Sequence, residues 1–251
     1  MSKENITPKF GIVAILDALG ASDFPEEKIN AFLKSRAEII NAAIKERGEK
    51  LTSIEPEFRT PSVYMFGDSV IVTLELDEHK KTSGCILGFA IIMSQFLFLS
   101  MQHRILFRGA FSIGNYIEDA NTNTVMGKAV SDAAAWYEKS DWMGLSCTPK
   151  TKYVLEHFCG TSPFSDYGNF LFEYPVPIKE GKLMNLYTIP WPRLFFSKKK
   201  MEKHHKEDSG KWFVEVIKDF DIPFGTETKY ENINKYFTAC AEVERKQLDG
   251  L

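Results

Sequence analysis

The run from Gly84 to Met101, GCILGFAIIMSQFLFLSM, is apolar on every side of a helix, and such a segment has to leave water. Two surroundings satisfy it: a bilayer, in which it would make a short span, or the interior of a core. Ser94 and Gln95 stand near its middle, and strands carrying acidic and basic residues flank it. The sequence therefore predicts a helix buried in a core or at a dimer seam, with no membrane insertion.

The chain around that helix has 251 residues, 44% hydrophobic and 13% aromatic with 20 Phe, enough to fill one sizeable domain. Phe10 to Leu16 (FGIVAIL) reads as a central strand. From Pro25 to Arg47, apolar Ile29, Phe32, Leu33, Ile40, Ala43 and Ile44 recur at helical spacing, with Gly48 as the expected stop. Ser62–Phe66 and Ser69–Leu76 form a hairpin through Gly67-Asp68. After the apolar helix come a strand, Ile105–Tyr116, an Asn/Thr loop from Glu118 to Thr124, and a helix from Lys128 to Ser140. A strand near Gly144–Cys147, a helix Lys150–Phe158 and strands Asn169–Val176 and Leu183–Ile189 complete the pattern. This order describes an α+β sheet with helices on one side. Beyond Trp191-Pro192 a basic run leads to two helices, near Lys211–Phe220 and Glu227–Arg245, so the expected division is a domain over 1–192 and a C-terminal helical extension over 193–251.

A net charge of −3 gives no general attraction to nucleic acid, so a polyanionic ligand has to be held by a few placed cations. Cys85, Cys147, Cys159 and Cys240 are scattered without a CxxC pair, which suits buried thiols in a reducing compartment. With a polar N-terminal segment, the expected location is the cytoplasm. His204 and His205 lie in a lysine-rich stretch without acidic ligands and read as solvated surface. Ala133, Trp136 and Tyr137 read as core.

Two carboxylates stand out. Asp17 ends the first strand and is followed by Ala18-Leu19-Gly20; Asp68 sits at the hairpin tip in FGDSVIV. Each alone is an ordinary turn residue. A hairpin beside the first strand would bring both to one edge, where they repel unless cations bridge them. Mg²⁺ or Mn²⁺ takes oxygen ligands and shares them with phosphates.

FGIVAILDALGASDF, VYMFGDSVIV, LFRGAFSIGNY and TVMGKAVSDAAAWYEK follow the order and spacing of the class III nucleotidyl cyclases, and the chain resembles that family from Phe10 to Ile189. GKAVSDAAAWYE, LYTIPW and the C-terminal KYENINKYF look closer to the bacterial antiphage (Pycsar) pyrimidine cyclases. The resemblance implies a ferredoxin-like, mainly antiparallel sheet and a phosphorus–oxygen lyase that makes a cyclic nucleotide and pyrophosphate. It implies Asp17 and Asp68 as ligands of two divalent cations, Mn²⁺ or Mg²⁺, and backbone at Ala18, Leu19 and Gly20 approaching the phosphates. Arg108 matches a triphosphate-binding arginine, whose fork suits phosphate.

Tyr64 and Thr124 stand where purine cyclases place a base-reading lysine and aspartate. Neutral groups there fit a pyrimidine, so the expected product is cUMP or cCMP. The helix after Gly127 departs from the purine pattern, with Ser131 and Ala135 where an asparagine and an arginine are usual. Lys179 and Lys182 are the candidate replacement cations. The family geometry implies a homodimer with composite sites, Asp17 and Asp68 of one chain facing Tyr64 and Thr124 of the other, and a separate effector that reads the product. Purine cyclase activity and a non-catalytic nucleotide-binding module are the alternatives.

Overall fold

The computed structural model describes residues 8–21, 24–55, 57–77, 83–119, 121–158, 170–196, 213–215, 217–218, 220 and 225–248. Strand β1 (Lys9–Ala18) alternates cleanly: Ile12, Ala14 and Leu16 enter the main core, whereas Val13 joins a small second cluster on the opposite face. It is central. On one side it pairs antiparallel with β3 (Ser69–Glu75), which pairs with β2 (Ser62–Phe66). On the other side it pairs with β4 (Phe107–Asp119). The sheet continues through β6 (Gly144–Cys147) and β8 (Lys182–Thr188) to β7 (Phe172–Ile178), giving the order β2-β3-β1-β4-β6-β8-β7. Among the described residues only β4 and β6 run parallel, so the fold is α+β with a mainly antiparallel sheet.

Helix α1 (Glu26–Ile40) passes through a π-helical stretch, Asn41–Glu46, into α2 (Arg47–Ile54). The helix therefore runs past Gly48 instead of ending there. Gly48 is buried, and a Cβ on it would stand 3.0 Å from Pro61 Cδ. The residue marks a close approach, not a left-handed cap. Ile29 and Leu33 face solvent at 42% exposure each, while Arg36 is buried in their stead.

The apolar helix is α3 (Ser83–Gln102), and eleven of its 20 residues are buried. By length and composition it could cross a membrane. Here it is a core helix: Phe89 and Phe96 pack on Phe111 and Phe107 of β4, with ring centroids 5.5 and 5.1 Å apart. Close packing extends to the backbone, since a Cβ at Gly88 would meet the Phe58 ring at 2.4 Å.

Two features depart from the sequence reading. The polar stretch after β4 is itself a hairpin, because β5 (Thr124–Met126) pairs back onto Ile117–Asp119. Helix α4 (Lys128–Tyr137) lies on the face opposite α3, with Ala129 and Val130 against Val13 and Tyr116. The helices thus occupy both faces, for α4 is short and amphipathic and covers the patch that Val13, Ile71 and Tyr116 leave apolar.

Helix α5 (Pro149–Phe158) follows β6. The final helix, α6 (Glu227–Leu248), shares the main core. Tyr236 sits edge-on to Trp142 at 4.7 Å, and its hydroxyl donates to Ile189 O (3.0 Å) while bonding Thr188 Oγ (2.8 Å). Phe237 packs against Trp191, Phe195, Phe196 and Phe213. Cys85, Cys147 and Cys240 are buried free thiols; burial pushes the Cys147 and Cys240 thiols up to about 12, which leaves them unreactive. Cys159, His204, His205 and the basic run lie outside the described residues.

Candidate active site

Register builds the site. Asp17, the penultimate residue of β1, stands directly across from Ser69 in β3 and from Arg108 in β4. Residues paired across a strand point to the same face, so all three side chains meet at one edge. Ser69 Oγ donates to Asp17 Oδ1 at 3.3 Å, and Arg108 donates to Oδ2 through Nε (3.3 Å) and Nη2 (3.2 Å). Both side chains are mostly covered, with 17% of Asp17 and 15% of Arg108 exposed, which strengthens the pair relative to a surface one.

Asp68 precedes Ser69 in the turn between β2 and β3, so it is one residue from the position facing Asp17. Gly67, at φ +58°, supplies the left-handed conformation that the turn requires. The turn is fixed from behind by Arg36 of α1, which reaches the Gly67 carbonyl (2.5 Å) and whose charge acts on Asp68. Burial drags the Arg36 guanidinium below its usual pKa, and Asp68 works against that drop. Tyr137, at the end of α4, lays its ring 5.9 Å from the Arg108 guanidinium. It therefore borders the site instead of filling core as Ala133 does.

The phosphate-loop positions divide. Ala18 is the last residue of β1, paired with Phe107. Leu19 spends its N–H on Leu106 O at 2.8 Å. Gly20, at φ +73°, turns the chain away from the strand. Gly20 lies beyond the strand, and with no side chain it leaves space for an anion there.

The two base-reading positions lie elsewhere on the sheet. Tyr64 is buried in β2 and bonds Glu118, at the far end of β4 from Arg108. Burial and the Glu118 charge raise its phenol to about 12. Thr124 is exposed in β5 opposite Asp119, and Asn123 beside it donates to Met65 O at 3.4 Å. Tyr64 and Thr124 are thus neighbours through the β4–β5 hairpin. Within one chain they stand apart from Asp17, Asp68 and Arg108.

The fold has solved likenesses. The adenylyl cyclase CyaB from P. aeruginosa aligns over 74% of this chain and 95% of its own at TM-score 0.42 and 14% identity. The catalytic core of a rhodopsin-guanylyl cyclase with converted specificity aligns over 74% and 97% at 0.44 and 12%. A class III adenylyl cyclase-like ATP-binding protein from Pseudomonas aeruginosa aligns over 65% and 40% at 0.36 and 15%. No family model and no curated protein matches the chain. None of these likenesses assigns a role to a residue.

Among the described residues no group of three or more His, Cys, Asp or Glu is arranged to hold a metal. The pair Asp17 and Asp68 nevertheless fits Mg²⁺ or Mn²⁺. Its donors are hard carboxylate oxygens, and such ions complete their coordination with water and substrate phosphate instead of a full protein cage. Lys182 is 74% exposed and pairs with Glu180 at 3.1 Å. Ser131 and Ala135 are exposed on α4.

Sequence reasoning did not single out Ser69 or Arg36, and it read Tyr137 as core. Ser69 was within reach, since it adjoins Asp68 and the β1–β3 register follows from the hairpin. Arg36 was hidden inside an amphipathic pattern that a buried arginine breaks.

Proposed function

We propose that the chain is a nucleotidyl cyclase that closes a pyrimidine nucleoside triphosphate, UTP or CTP, into its 3′,5′-cyclic monophosphate with release of pyrophosphate. One observation carries the reading: Asp17, Asp68 and Arg108, drawn from three parts of the sequence, converge at one sheet edge beside the Gly20 turn. Two acids and a guanidinium beside a glycine turn suit a triphosphate with its counter-ions better than they suit a neutral ligand.

Asp17 and Asp68 would hold the two divalent cations. When bound, the ions lower the pKa of the attacking 3′-hydroxyl and neutralise charge on the leaving pyrophosphate. Arg108 pairs with Asp17 until substrate offers its guanidinium a phosphate, and Ser69 keeps the Asp17 carboxylate aimed at the edge. Tyr137 stacks near Arg108 and limits where its fork can swing. Tyr64 and Thr124 read the base with neutral hydrogen-bonding groups, which supports a pyrimidine. Since they stand apart from the carboxylates in one chain, the site is completed by a second copy. The local resemblance of GKAVSDAAAWYE and KYENINKYF to antiphage cyclases supports a product that signals to a separate effector protein during phage defence.

The test is incubation with each of the four ribonucleoside triphosphates and Mn²⁺, followed by mass spectrometry. A cyclic pyrimidine nucleotide from wild type, and none from a normally folded Asp68→Ala protein, is expected. Cyclic AMP or GMP as the main product would replace the pyrimidine assignment with a purine one, and activity retained in Asp68→Ala would remove the metal assignment.

A further inference from the structure

A cleft of about 260 Å³ lies on the side of the sheet away from the Asp17 carboxylate. β1 pairs without a break from Gly11 to Asp17, so Asp17 shares its face with Val13, which clusters with Ala129 of α4. The cleft opens instead beside Phe32 of α1 and Leu106, both part of the core that Leu16 and α3 build on the other face. Its floor is aromatic, formed by Phe24, Phe32, Phe220 and Tyr230, with Phe24 and Phe32 edge to face at 5.7 Å. Lys28, His103 and Arg104, all exposed, line its rim, and among its described lining residues there is no Asp or Glu.

Arg104 stands there against the preference of its backbone. α3 ends in a Schellman turn, in which Arg104 N–H bonds Met101 O (3.0 Å) and Ile105 N–H bonds Ser100 O (2.8 Å). Arg104 takes φ +59° in that turn, a conformation for which glycine is the usual choice. The helix end favours a nearby cation, yet His103, without a positive φ, already offers a place for one. The cleft also touches the elements that carry the catalytic edge. Leu19 and Leu106, joined N–H to O at 2.8 Å, stand two residues after Asp17 and two before Arg108. The Phe32 ring lies 5.2 Å from the Arg36 guanidinium, which holds the Asp68 turn through Gly67 O.

We propose that this cleft binds a nucleoside 5′-monophosphate, its base on the aromatic floor and its phosphate on Lys28 and Arg104, and that occupancy regulates the catalytic edge from behind. Aromatic side chains take a nucleobase by stacking, whatever its identity. Lysine and arginine together suit the doubly charged terminal phosphate better than the singly charged cyclic one. The site stands without the cyclase reading; only its effect on turnover rests on it.

The test is calorimetry on the full chain in EDTA, with the four nucleoside 5′-monophosphates, their 3′,5′-cyclic forms, uridine and ribose 5-phosphate as probes. The 5′-monophosphates should bind at one site per chain, with uridine and ribose 5-phosphate each at least about tenfold weaker. Arg104→Gly removes the guanidinium and relaxes its backbone, so binding should weaken about tenfold while the melting temperature holds or rises. Lys28→Gln, on an exposed helix face, should weaken binding about as much at unchanged melting temperature. Asp68→Ala should bind as wild type does, which separates the cleft from the catalytic edge. No binding by wild type, wild-type affinity in both cleft variants, equal affinity for ribose 5-phosphate, or tighter binding of a cyclic nucleotide would each overturn the assignment. With whichever triphosphate wild type turns over, saturating 5′-monophosphate should change kcat/KM about fivefold, and Arg104→Gly should abolish that change at an intact basal rate. Unchanged turnover with the cleft filled would overturn the regulation. A chain that binds 5′-monophosphates and forms no cyclic nucleotide would keep the site and remove the cyclase reading.

Discussion

Glu118, on the face opposite α3, is held by several partners at once. Burial pushes its pKa up, but hydrogen bonds from Lys9 and Thr73, the Lys9 charge and a bond from Tyr64 together bring it below its ordinary 4.5. Lys9 shows the matching sign: burial lowers its pKa, and Glu118 and Glu75 carry it above 10.5. An acid whose folded pKa is depressed adds stability that is complete above the unfolded value and is lost as pH falls through the folded one. Urea unfolding of wild type should therefore show stability declining below about pH 4.5, with a shallower decline in Glu118→Gln. An unaltered slope in that variant would show that other carboxylates govern acid unfolding. At this same scale the site was partly legible. The convergence of Asp17 with Asp68 follows from placing a hairpin beside the first strand, and strand register then brings Arg108 along. Arg36 was not legible and Tyr137 read as core, because each sits on a helix whose placement depends on packing between elements distant in sequence.

For the elements, local signals served best where the chain makes its own structure. Gly67-Asp68 set the hairpin, and the uniformly apolar α3 announced its burial. They served worst where tertiary contacts override propensity. Gly48 stays within a helix and is tightly approached by Pro61, whose Cδ would stand 3.0 Å from a Cβ there, and the Asn/Thr loop becomes β5 because β4 offers it an edge. Gly109, next to Arg108, is a second close approach: a Cβ there would lie 2.5 Å from Ile15 O, a backbone atom of β1. Since the partner strand is held on both sides, Gly109→Ala should cost about 1–3 kcal/mol, read from the urea midpoint. Gly84, at the start of α3, has nothing within 4 Å of its Cβ position. Gly84→Ala should leave stability unchanged or raise it by less than about 1 kcal/mol. Equal effects at the two glycines would show that the β1–β4 spacing yields more than its paired strands suggest.

The whole molecule presents apolar side chains where a proposed second copy would have to sit. Phe66 is 81% exposed at the end of β2, with Met65 at 46%, and Met126 of β5 at 58%. Asn123 ties that hairpin to Met65, next to Tyr64, while Phe66 stands in register with Ser69 at the Asp68 turn. Exposed aromatic and methionine side chains in one region are the usual mark of an association surface. A charge at Phe66 would have to be desolvated on association, so Phe66→Glu should shift the protein to monomer in sedimentation velocity and remove turnover while the melting temperature holds. Composite sites add a sharper requirement. Asp68→Ala and a Tyr64→Ala, Thr124→Ala double variant should each be inactive alone, one lacking the metal half of the site and the other the base-reading half. Mixed in equal amounts and allowed to exchange, half of the dimers become hybrids, and each hybrid keeps one site with both halves intact. Two-fold symmetry then sets recovery at about a quarter of the wild-type rate. Recovery absent from a mixture proven to exchange would place Asp68, Tyr64 and Thr124 in a single chain's site and remove the composite arrangement.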